Sequence, residues 1–315
     1  MTTAAVCDLG SSSFQLLICE DGPGGSLKPL HKRRALLNLG LDVGASGAIP
    51  PKRVEAAVAA AKRLRLALEA WAPEAVVALA TAALRDAANG PYVVERLERA
   101  VGTAVHVLDG QQEARLCFFG QRASVFMGED PTLGIDLGGG SLELVVGNRF
   151  EIYFAASAPL GATRLKGELG VGELLSREHR KEVRERVGEA VEVTGIDLAK
   201  YSRAARRTVV SGGTARALAR ISLAKSKPYG SPSQWSANQV ELSVGQVAEL
   251  ASVLARMDLR QRSRLPGMPS RRAPVLPLGA SILEAVAEEL SVGHYVVSEW
   301  GLREGTLLEL LGRHS

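Results

Sequence analysis

A duplicated segment constrains the fold of this chain more than any other feature of its sequence. Residues 7–18, CDLGSSSFQLLI, align with residues 135–146, IDLGGGSLELVV, so that Asp8 corresponds to Asp136 and Ser13 to Ser141. Each copy has the pattern of an apolar strand ending in Asp, a tight turn of Gly or Ser, and a second strand rich in β-formers. The repeat therefore predicts two related half-domains, each beginning with a β-hairpin.

The segments after each hairpin predict strands that alternate with helices, which indicates an α/β fold. In the first half we predict helices over 51–70, 91–101 and 111–123 and strands over 74–81 and 103–109. In the second half we predict strands over 132–136, 142–147, 150–156 and 207–211 and helices over 176–193, 213–223 and 279–290, with a closing helix after 295–300. Pro, Ser and Gly predict loops over 225–238 and 258–274.

Length and composition narrow the class of protein. A chain of 315 residues is about twice the common domain size, which favours two domains. No apolar run reaches the roughly 18 to 20 residues of a membrane span and no secretory signal is recognisable, so we expect a cytoplasmic protein without a membrane partner. Aromatic residues make up only 4%, which argues against a base-stacking platform for a specific nucleic acid. The net charge of +4 suits an anionic partner without identifying one.

The two Asp-headed turns are candidate sites for a cation and a phosphate. An Asp at a strand end can hold a hydrated divalent cation while the backbone N–H groups of a small-residue turn bind phosphate oxygens. One such turn alone is more often a plain hairpin, whereas two facing turns can grip both sides of a phosphoanhydride bond. Glu143, on the strand after the second turn, is expected to face the same side as Asp136, although a solvated Glu is the alternative. The candidate residues of the two turns are Asp8, Gly10, Ser11, Ser12, Ser13, Asp136, Gly138, Gly139, Gly140 and Ser141.

A third segment supplies a candidate general base. Residues 109–115, DGQQEAR, predict a helix start with Asp109 as N-cap and Gln112 as its capping-box partner. Glu113 is then the remaining carboxylate of the first turn, where it could orient and deprotonate a water that attacks phosphorus. Interaction with the helix dipole is the more frequent role of Glu at such a position.

Further candidate phosphate contacts come from a glycine turn and from arginines. Residues 211–216, SGGTAR, predict a strand followed by a helix N-terminus, where Gly212, Gly213 and Thr214 could bind an anion. An ordinary strand-to-helix turn is equally compatible with this pattern. Arg85 and Arg164 could neutralise phosphate charge, although surface ion pairs are their more common role. Six arginines between 256 and 272 form the densest basic stretch, interpreted as a solvated loop with attraction of a polyanion as the alternative.

In this order, the motifs resemble those of the exopolyphosphatase and guanosine-pentaphosphate phosphohydrolase (Ppx/GppA) family, which has the actin, sugar-kinase and Hsp70 superfold. The motifs are DLGSSSFQLLI, ATAALRDAANG, VHVLDGQQEARL, IDLGGGSLELV, PLGATRL, SGGTARALA, LPLGASILEAV and VSEWGLREG. The resemblance implies two actin-like (ribonuclease H-like) domains with the active site in a central cleft, in the short form of the family. It implies a first domain of residues 1–125 with 299–315 and a second domain of residues 126–298.

The resemblance also implies the activity and the roles of individual residues. The activity is processive release of terminal phosphate from inorganic polyphosphate, with Mg²⁺ as cofactor and Mn²⁺ as a substitute. Glu113 matches the catalytic glutamate, Asp8, Asp136 and Glu143 match the acidic residues of the two turns, and Arg85 and Arg164 match basic positions of the cleft. Three positions depart from the family pattern, which usually has Asn at Ser12, a basic residue at Gln15 and Thr at Leu142.

Three alternative functions remain open at this point. The same cleft could hydrolyse the 5′-phosphate of guanosine pentaphosphate. A kinase of the same superfold would need an adenine pocket and an acceptor, and SGGTAR is the only feature that could serve the nucleotide. A regulator that binds polyphosphate or a nucleotide without catalysis is compatible with the departures at Ser12, Gln15 and Leu142. A homodimer is also compatible with the sequence, which does not determine the oligomeric state.

Overall fold

A computed structural model of the chain describes residues 2–23, 26–201, 207–226 and 235–313 and contains two β-sheets flanked by helices. The first sheet consists of β1 (Thr3–Leu9), β2 (Ser13–Asp21), β3 (Leu27–Leu36), β4 (Ala75–Ala80) and β5 (Val105–Val107). The second consists of β6 (Thr132–Leu137), β7 (Leu142–Gly147), β8 (Ile152–Ala158), β9 (Arg207–Gly212), β10 (Glu241–Ser243) and β11 (His294–Val297). The helices are α1 (Leu39–Ser46), α2 (Pro51–Trp71), α3 (Ala82–Asp86), α4 (Gly90–Val101), α5 (Gly110–Ser124), α6 (Ala162–Glu168), α7 (Arg177–Thr194), α8 (Gly213–Ser226), α9 (Val244–Arg256), α10 (Leu259–Ser263), α11 (Leu276–Glu289) and α12 (Leu302–Leu310).

The two sheets have the same strand order, so the sequence duplication is also a structural one. The first sheet has the order β3-β2-β1-β4-β5, and the second has β8-β7-β6-β9-β11 with β10 added at its edge. Counted along the chain, the first three strands of each sheet pair in antiparallel fashion, and the fourth strand is parallel to the first. The α/β fold with two actin-like domains and a central cleft, predicted from the sequence, is confirmed.

The sheet topology brings the ends of the two central strands to the same cleft. Strands β1 and β6 are almost entirely buried because helices cover both faces of each sheet. Asp8 and Asp136 lie near the carboxyl ends of these strands, where chains in open α/β sheets most often place their ligands. Strand β5 lies two strands away from β1 and is parallel to β4, and helix α5 begins shortly after it. Glu113, in the first turn of α5, therefore lies at the same edge of the sheet as Asp8.

Helices α5 and α12 pack between the two sheets and connect them. Ala114 and Phe118 of α5 pack on the second sheet, whereas Leu116 packs with α12 against the first. The buried Leu307 of α12 contacts the first sheet, which is where the resemblance places this helix. At the crossing, a Cβ added to Gly305 would stand 1.8 Å from the carbonyl oxygen of Leu116, so the two helices approach closely only because this residue is glycine. The domain boundary at residue 125 stays a prediction, because α5 contacts both sheets.

The basic stretch between 256 and 272 differs from the solvated loop that the sequence predicted. Asp258 caps α10 and forms a capping box with Gln261. Arg262 is only 1% exposed, and its Nη2 donates to the carbonyl oxygen of Glu173 at 2.7 Å. The interpretation as a solvated loop is therefore wrong for Arg262, which a short capped helix buries, whereas Arg256, Arg260, Arg264 and Arg271 are exposed. Of the other predicted loop, residues 227–234 lie outside the described residues.

The described helices lack the features of a membrane span. None of them combines the length with the sustained apolar character that a crossing of the bilayer requires. The longest, α2, alternates a buried alanine-rich face with charged residues and packs on the first sheet.

Candidate active site

A cleft of about 120 Å³ lies between the two domains, where the two Asp-headed turns meet the starts of α5, α8 and α12. It receives residues from seven separate segments of the chain, which only the tertiary fold brings together. The residues predicted from the sequence that line the cleft are Asp8, Gly10, Ser11, Ser12, Ser13, Glu113, Asp136, Gly138, Gly139, Gly140, Ser141, Gly212 and Gly213.

The two turns pack directly against each other. A Cβ added to Gly140 would stand 2.2 Å from Oγ of Ser11, and one added to Gly139 would stand 2.1 Å from Oγ of Ser12, so a larger residue at either position would push the turns apart. The carbonyl oxygens of Ser11, Ser12 and Gly139 accept hydrogen bonds from the starts of α1 and α6. The backbone N–H groups of Ser11, Ser12, Gly139 and Gly140 donate no hydrogen bond to another of the described residues. These four donors are therefore available to phosphate oxygens.

Asp136 and Glu143 form an acidic pair in the second hairpin. They are directly opposite residues on β6 and β7, so both carboxylates lie on the same face of the sheet. Ser211 Oγ donates to Asp136, and Ser157 Oγ donates to Glu143 Oε1 at 2.9 Å. Glu143 is 1% exposed and is not among the residues that line the cleft, so it lies beside Asp136 without reaching the open space. The predicted common orientation of the two acids is present, but only Asp136 faces the cleft.

The corresponding pair in the first hairpin is Asp8 and Gln15. These two residues are opposite each other on β1 and β2, and Gln15 Nε2 donates to Asp8 Oδ2 at 3.2 Å. Gln15 Oε1 accepts from Arg34 Nε at 2.9 Å and from Arg303 Nη1 at 3.0 Å. The first hairpin therefore presents an acid and an amide where the second presents two acids, and the amide faces two guanidinium groups.

Glu113 lies in the first turn of α5 and lines the cleft. The capping box formed by Asp109 and Gln112 is present as predicted, which leaves Glu113 free of the helix cap. Nη1 of Arg85 donates to Glu113 Oε2 at 2.8 Å and to the carbonyl oxygen of Leu108 at 3.0 Å. Burial raises the pKa of Glu113 to about 7, and the charge of Arg85 opposes this increase. Arg85 thus positions the carboxylate and keeps part of its population ionised near neutral pH.

The other acids of the cluster have raised pKa values for the same reason. Burial raises the pKa of Asp8 to about 6 and also raises the pKa of Asp136. Burial, followed by the charges of Glu113 and Asp136, raises the pKa of Glu143 well above its ordinary value. When these carboxylates are ionised, the cluster therefore holds more negative charge than the surrounding groups neutralise.

The donor atoms of this cluster suit a hard divalent cation. Ligand atoms of Asp136, Glu143 and Cys117 lie within 4.8 Å of one another, and two of the three are carboxylate oxygens, the ligands that Mg²⁺ prefers. Burial raises the pKa of the Cys117 thiol well above its ordinary value, and a thiol is a soft ligand that a hard cation binds less well than a carboxylate oxygen. The residues present fit Mg²⁺ or Mn²⁺ rather than a metal that binds thiolate.

Arginines also line the cleft. Arg216 of α8, Arg272 and Arg303 of α12 all line it. The guanidinium group of Arg272 lies against the Cα of Gly213, and Nη1 of Arg216 donates to the carbonyl oxygen of Glu299 at 2.7 Å. The cleft therefore holds guanidinium groups as well as carboxylates, and guanidinium groups suit phosphate oxygens.

Three residues predicted to bind phosphate lie outside the lining of the cleft. Arg85 is directed to Glu113. Nε of Arg164 donates to Glu168 at 2.9 Å, and its Nη1 forms an ion pair with Asp86. The side chain of Thr214 is buried and packs against Gly279. All three support the walls of the cleft instead of facing its interior.

Sequence reasoning gave no role to several residues of the cleft. Arg272 was part of the basic stretch, Gln15 was noted only as a departure, and Arg303 and Glu304 lie within the motif VSEWGLREG without having been singled out. That motif carried a usable signal, because a Gly-Leu-Arg-Glu sequence after a strand places charged residues at a helix start. Arg272 carried no local signal, because its place in the cleft depends on how α10 and the following turn pack.

Known proteins resemble this chain over nearly its whole length. The sequence model of the Ppx/GppA phosphatase family matches residues 17–314. The chain is 30% identical over 310 residues to exopolyphosphatase 1 of Mycobacterium leprae, covering 97% of this chain and 88% of that protein. It is 30% identical over 326 residues to the guanosine-5′-triphosphate,3′-diphosphate pyrophosphatase of Aeromonas salmonicida, covering 98% of this chain and 60% of that protein. The crystal structure of an exopolyphosphatase from Cytophaga hutchinsonii matches with a TM-score of 0.88 at 26% identity, covering 99% of this chain and 98% of that chain.

Proposed function

Because this chain belongs to the Ppx/GppA phosphatase family and is a phosphoric anhydride hydrolase, we propose that it is an exopolyphosphatase that releases terminal orthophosphate from inorganic polyphosphate. The choice of polyphosphate as the substrate rests on the residues that line the cleft. Carboxylates, glycine turns and arginines line it, and no aromatic ring is among the described residues that do so. This lining suits phosphate groups.

Glu113 is proposed to act on the attacking water. Its carboxylate lines the cleft, is held by Arg85, and has a pKa raised to about 7, which suits a general base near neutral pH. The water oxygen forms a bond to the terminal phosphorus while Glu113 accepts its proton. The bond from phosphorus to the bridging oxygen breaks, and the electron pair stays on the oxygen of the shortened polyphosphate. Orthophosphate is the second product.

Mg²⁺ is proposed as the cofactor, with Mn²⁺ as a substitute. Asp136 and Glu143 would hold it from the second hairpin, and Asp8 would contribute from the first. When bound, the cation supplies positive charge that neutralises the phosphate oxygens as the phosphorus–oxygen bond breaks. The raised pKa values of Asp8, Asp136 and Glu143 support this assignment, because a cation would relieve the repulsion among their ionised forms.

The turns and the arginines are proposed to bind the substrate. The free N–H groups of Ser11, Ser12, Gly139 and Gly140 would bind oxygens of the terminal phosphates from both walls of the cleft. Arg216, Arg272 and Arg303 would neutralise charge on the leaving polyphosphate. Phosphoryl transfer asks mainly for this combination of positioning and charge neutralisation.

Hydrolysis of guanosine pentaphosphate is the second candidate function. The similarity to the pyrophosphatase of Aeromonas salmonicida favours it. In this case the 5′-triphosphate would enter the cleft and the guanosine would remain outside the space that the cleft offers. A kinase of the same fold would need a phosphate acceptor. A non-catalytic regulator of the same fold would bind its ligand without turnover.

One assay tests these proposals together. Orthophosphate release is measured from long polyphosphate, from tripolyphosphate and from guanosine pentaphosphate, each with and without Mg²⁺ and without any acceptor. We expect the highest kcat/KM for long polyphosphate and no release without the cation. Preference for guanosine pentaphosphate would transfer the assignment to the second candidate. Binding of polyphosphate without release of orthophosphate from any substrate would contradict both hydrolase functions. The cytoplasmic location is a separate prediction, which this assay does not test.

A further inference from the structure

A buried glutamine connects helix α5 to the acidic cluster. Gln121 lies in the last turn of α5 and is only 1% exposed. Its Nε2 donates to the carbonyl oxygen of Ile135 at 2.8 Å and to Oγ of Ser211 at 2.7 Å. Ile135 precedes Asp136 on β6, and Ser211 lies beside Asp136 on the neighbouring strand β9. Both acceptors of the amide are therefore immediate neighbours of Asp136.

These contacts determine the direction in which the hydroxyl group of Ser211 donates. A carbonyl oxygen only accepts, so the amide atom next to Ile135 is the nitrogen, and its two hydrogens go to Ile135 and Ser211. The carbonyl oxygen of Ile135 lies 3.5 Å from Oγ of Ser211 and already accepts from Gln121. The single hydrogen of the hydroxyl group is thereby directed to the closer acceptor, Oδ2 of Asp136.

The burial of this amide argues against a role in packing alone. Oε1 of Gln121 is buried and accepts no hydrogen bond from the part of the chain that the structure describes. A buried polar atom without a partner destabilises the folded state, and an apolar side chain of similar size would avoid that loss. The strand that the amide faces also leaves room for it, since a Cβ added to Gly134 would stand 2.5 Å from this Oε1. The hydrogen bonds that the amide nitrogen donates are therefore the reason for a glutamine at this position.

The same face of α5 carries the proposed general base. Glu113, Cys117 and Gln121 are spaced four residues apart, so they follow one another along one side of the helix. Glu113 lines the cleft, and Cys117 Sγ lies within 4.8 Å of a ligand atom of Asp136. Gln121 then reaches Ser211. A single helix thus carries the base at its start and, two turns further on, the donor that orients Ser211.

We propose that Gln121 is a positioning residue, which acts through Ser211 to hold the Asp136 carboxylate in the orientation that binds the cation. The groups that donate hydrogen bonds to a ligand carboxylate fix its rotation, and their loss commonly weakens metal binding about 10-fold to 100-fold. Gln121 does not line the cleft, so its effect passes through the hydroxyl group of Ser211. This inference rests on the proposed function and names one further residue for it.

A set of substitutions at both positions tests this chain of hydrogen bonds. Gln121→Met and Gln121→Leu each remove the donor and keep an apolar side chain in the buried space. Ser211→Ala removes the hydroxyl group, Ser211→Thr retains it, and a double variant combines Gln121→Met with Ser211→Ala. Thr208→Val is the control, because Thr208 is a buried residue of the same strand that lies on its other face. Melting temperatures without metal show which variants are folded.

The measurement is equilibrium binding of Mn²⁺ alone, followed by electron paramagnetic resonance. The ion at this site is identified as the one whose binding Asp136→Asn weakens. We expect Kd for this ion to rise about tenfold in both Gln121 variants and in Ser211→Ala, and to stay within about twofold of the parent in Ser211→Thr and Thr208→Val. The double variant should bind Mn²⁺ as weakly as Ser211→Ala and no more weakly, because Gln121 acts through the hydroxyl group that this substitution removes.

Three results would overturn the inference. The first is parental Mn²⁺ affinity in a folded Gln121 variant, and a lowered melting temperature with that affinity would show that Gln121 only packs α5 against β6. The second is a pair of effects that multiply in the double variant. The third is parental affinity in Ser211→Ala, which decides the matter even if neither Gln121 variant folds.

The same titrations separate this inference from the function on which it rests. If the parent binds Mn²⁺ at Asp136 but releases no orthophosphate from any substrate, the proposed function fails, and the Kd values still decide the role of Gln121. If the parent releases orthophosphate but binds no Mn²⁺ at Asp136, the function stands and the inference about Gln121 is rejected.

Discussion

Gln15 and Glu143 occupy the same position in the two duplicated hairpins, each opposite the Asp that ends the preceding strand. The duplication has thus kept the geometry of the pair while changing its charge. The second hairpin and α5 carry the acids that suit a cation. In the first hairpin the amide oxygen of Gln15 instead accepts hydrogen bonds from Arg34 and Arg303. The cleft therefore combines carboxylates that suit a cation with guanidinium groups that suit phosphate oxygens.

Glu113→Gln is expected to lower kcat for orthophosphate release by about 100-fold to 10,000-fold, because the amide keeps the shape of the side chain but cannot accept a proton. KM should change little, since the turns and arginines that bind substrate are unaffected. Glu309→Gln, on the exposed face of α12, is the control and should leave kcat unchanged. Parental rates in the Glu113 variant would remove the base assignment.

Arg85→Gln is expected to shift the acid limb of the pH–rate profile upward and to reduce kcat. The charge of Arg85 lowers the pKa of Glu113, so its removal raises that pKa and protonates the base at neutral pH. Arg85→Lys retains the charge and should restore most of the profile. A rate that falls equally at every pH would instead indicate a purely structural role for Arg85.

Mg²⁺ is expected to raise the melting temperature more at about pH 8 than at about pH 5. Burial raises the pKa of Asp8 to about 6 and of Glu113 to about 7, above the ordinary value of about 4 for carboxyl groups. Protonated, these groups favour the folded state, and this contribution is complete below about pH 4 and is lost as the pH rises through 6 to 7. A bound cation compensates only for the ionised form. Thermal melts with Mg²⁺ and with NaCl at equal ionic strength provide the test, and equal shifts at both pH values would contradict it.

Asp136→Asn is expected to raise the Mg²⁺ concentration needed for half-maximal activity by at least about tenfold, because a neutral amide replaces a charged oxygen ligand. Cys117→Ala, at the adjacent sulfur, should leave that concentration unchanged, since Mg²⁺ prefers carboxylate oxygen to sulfur. Titration of phosphate release with Mg²⁺ measures both variants. A larger effect of the cysteine variant would show that sulfur, rather than carboxylate oxygen, binds the cation.

Gly305→Ala is expected to destabilise the fold by about 2 kcal/mol, because the added methyl group would stand 1.8 Å from the carbonyl oxygen of Leu116 and force α5 and α12 apart. Gly172→Ala is the matched control, since no heavy atom lies within 4 Å of its added Cβ. Denaturant unfolding measures the difference in the free energy of unfolding. Equal stability of the two variants would mean that the helices can separate without cost.

The local features of this site could be predicted from the sequence because each depends on residues close together in the chain. The Asp-headed hairpins follow from the period of the strands and the chemistry of their turns. The start of α5, and with it the place of Glu113, follows from the capping box of Asp109 and Gln112. The glycine turn at Gly212 likewise lies between a strand and a helix that both have clear sequence signals.

The partners of these residues were decided only by the tertiary structure. Arg303 reaches Gln15 because α12 crosses to the first sheet, and Arg272 reaches the cleft because a capped helix, α10, precedes it. Arg164 has the same side-chain chemistry as these two, yet it pairs with Glu168 outside the cleft. The sequence determined where carboxylates and glycine turns lie along the chain, since backbone conformation is set by neighbouring residues. Which arginines face them was determined by helix packing, because a long, flexible cation binds whichever anion the fold brings within its reach.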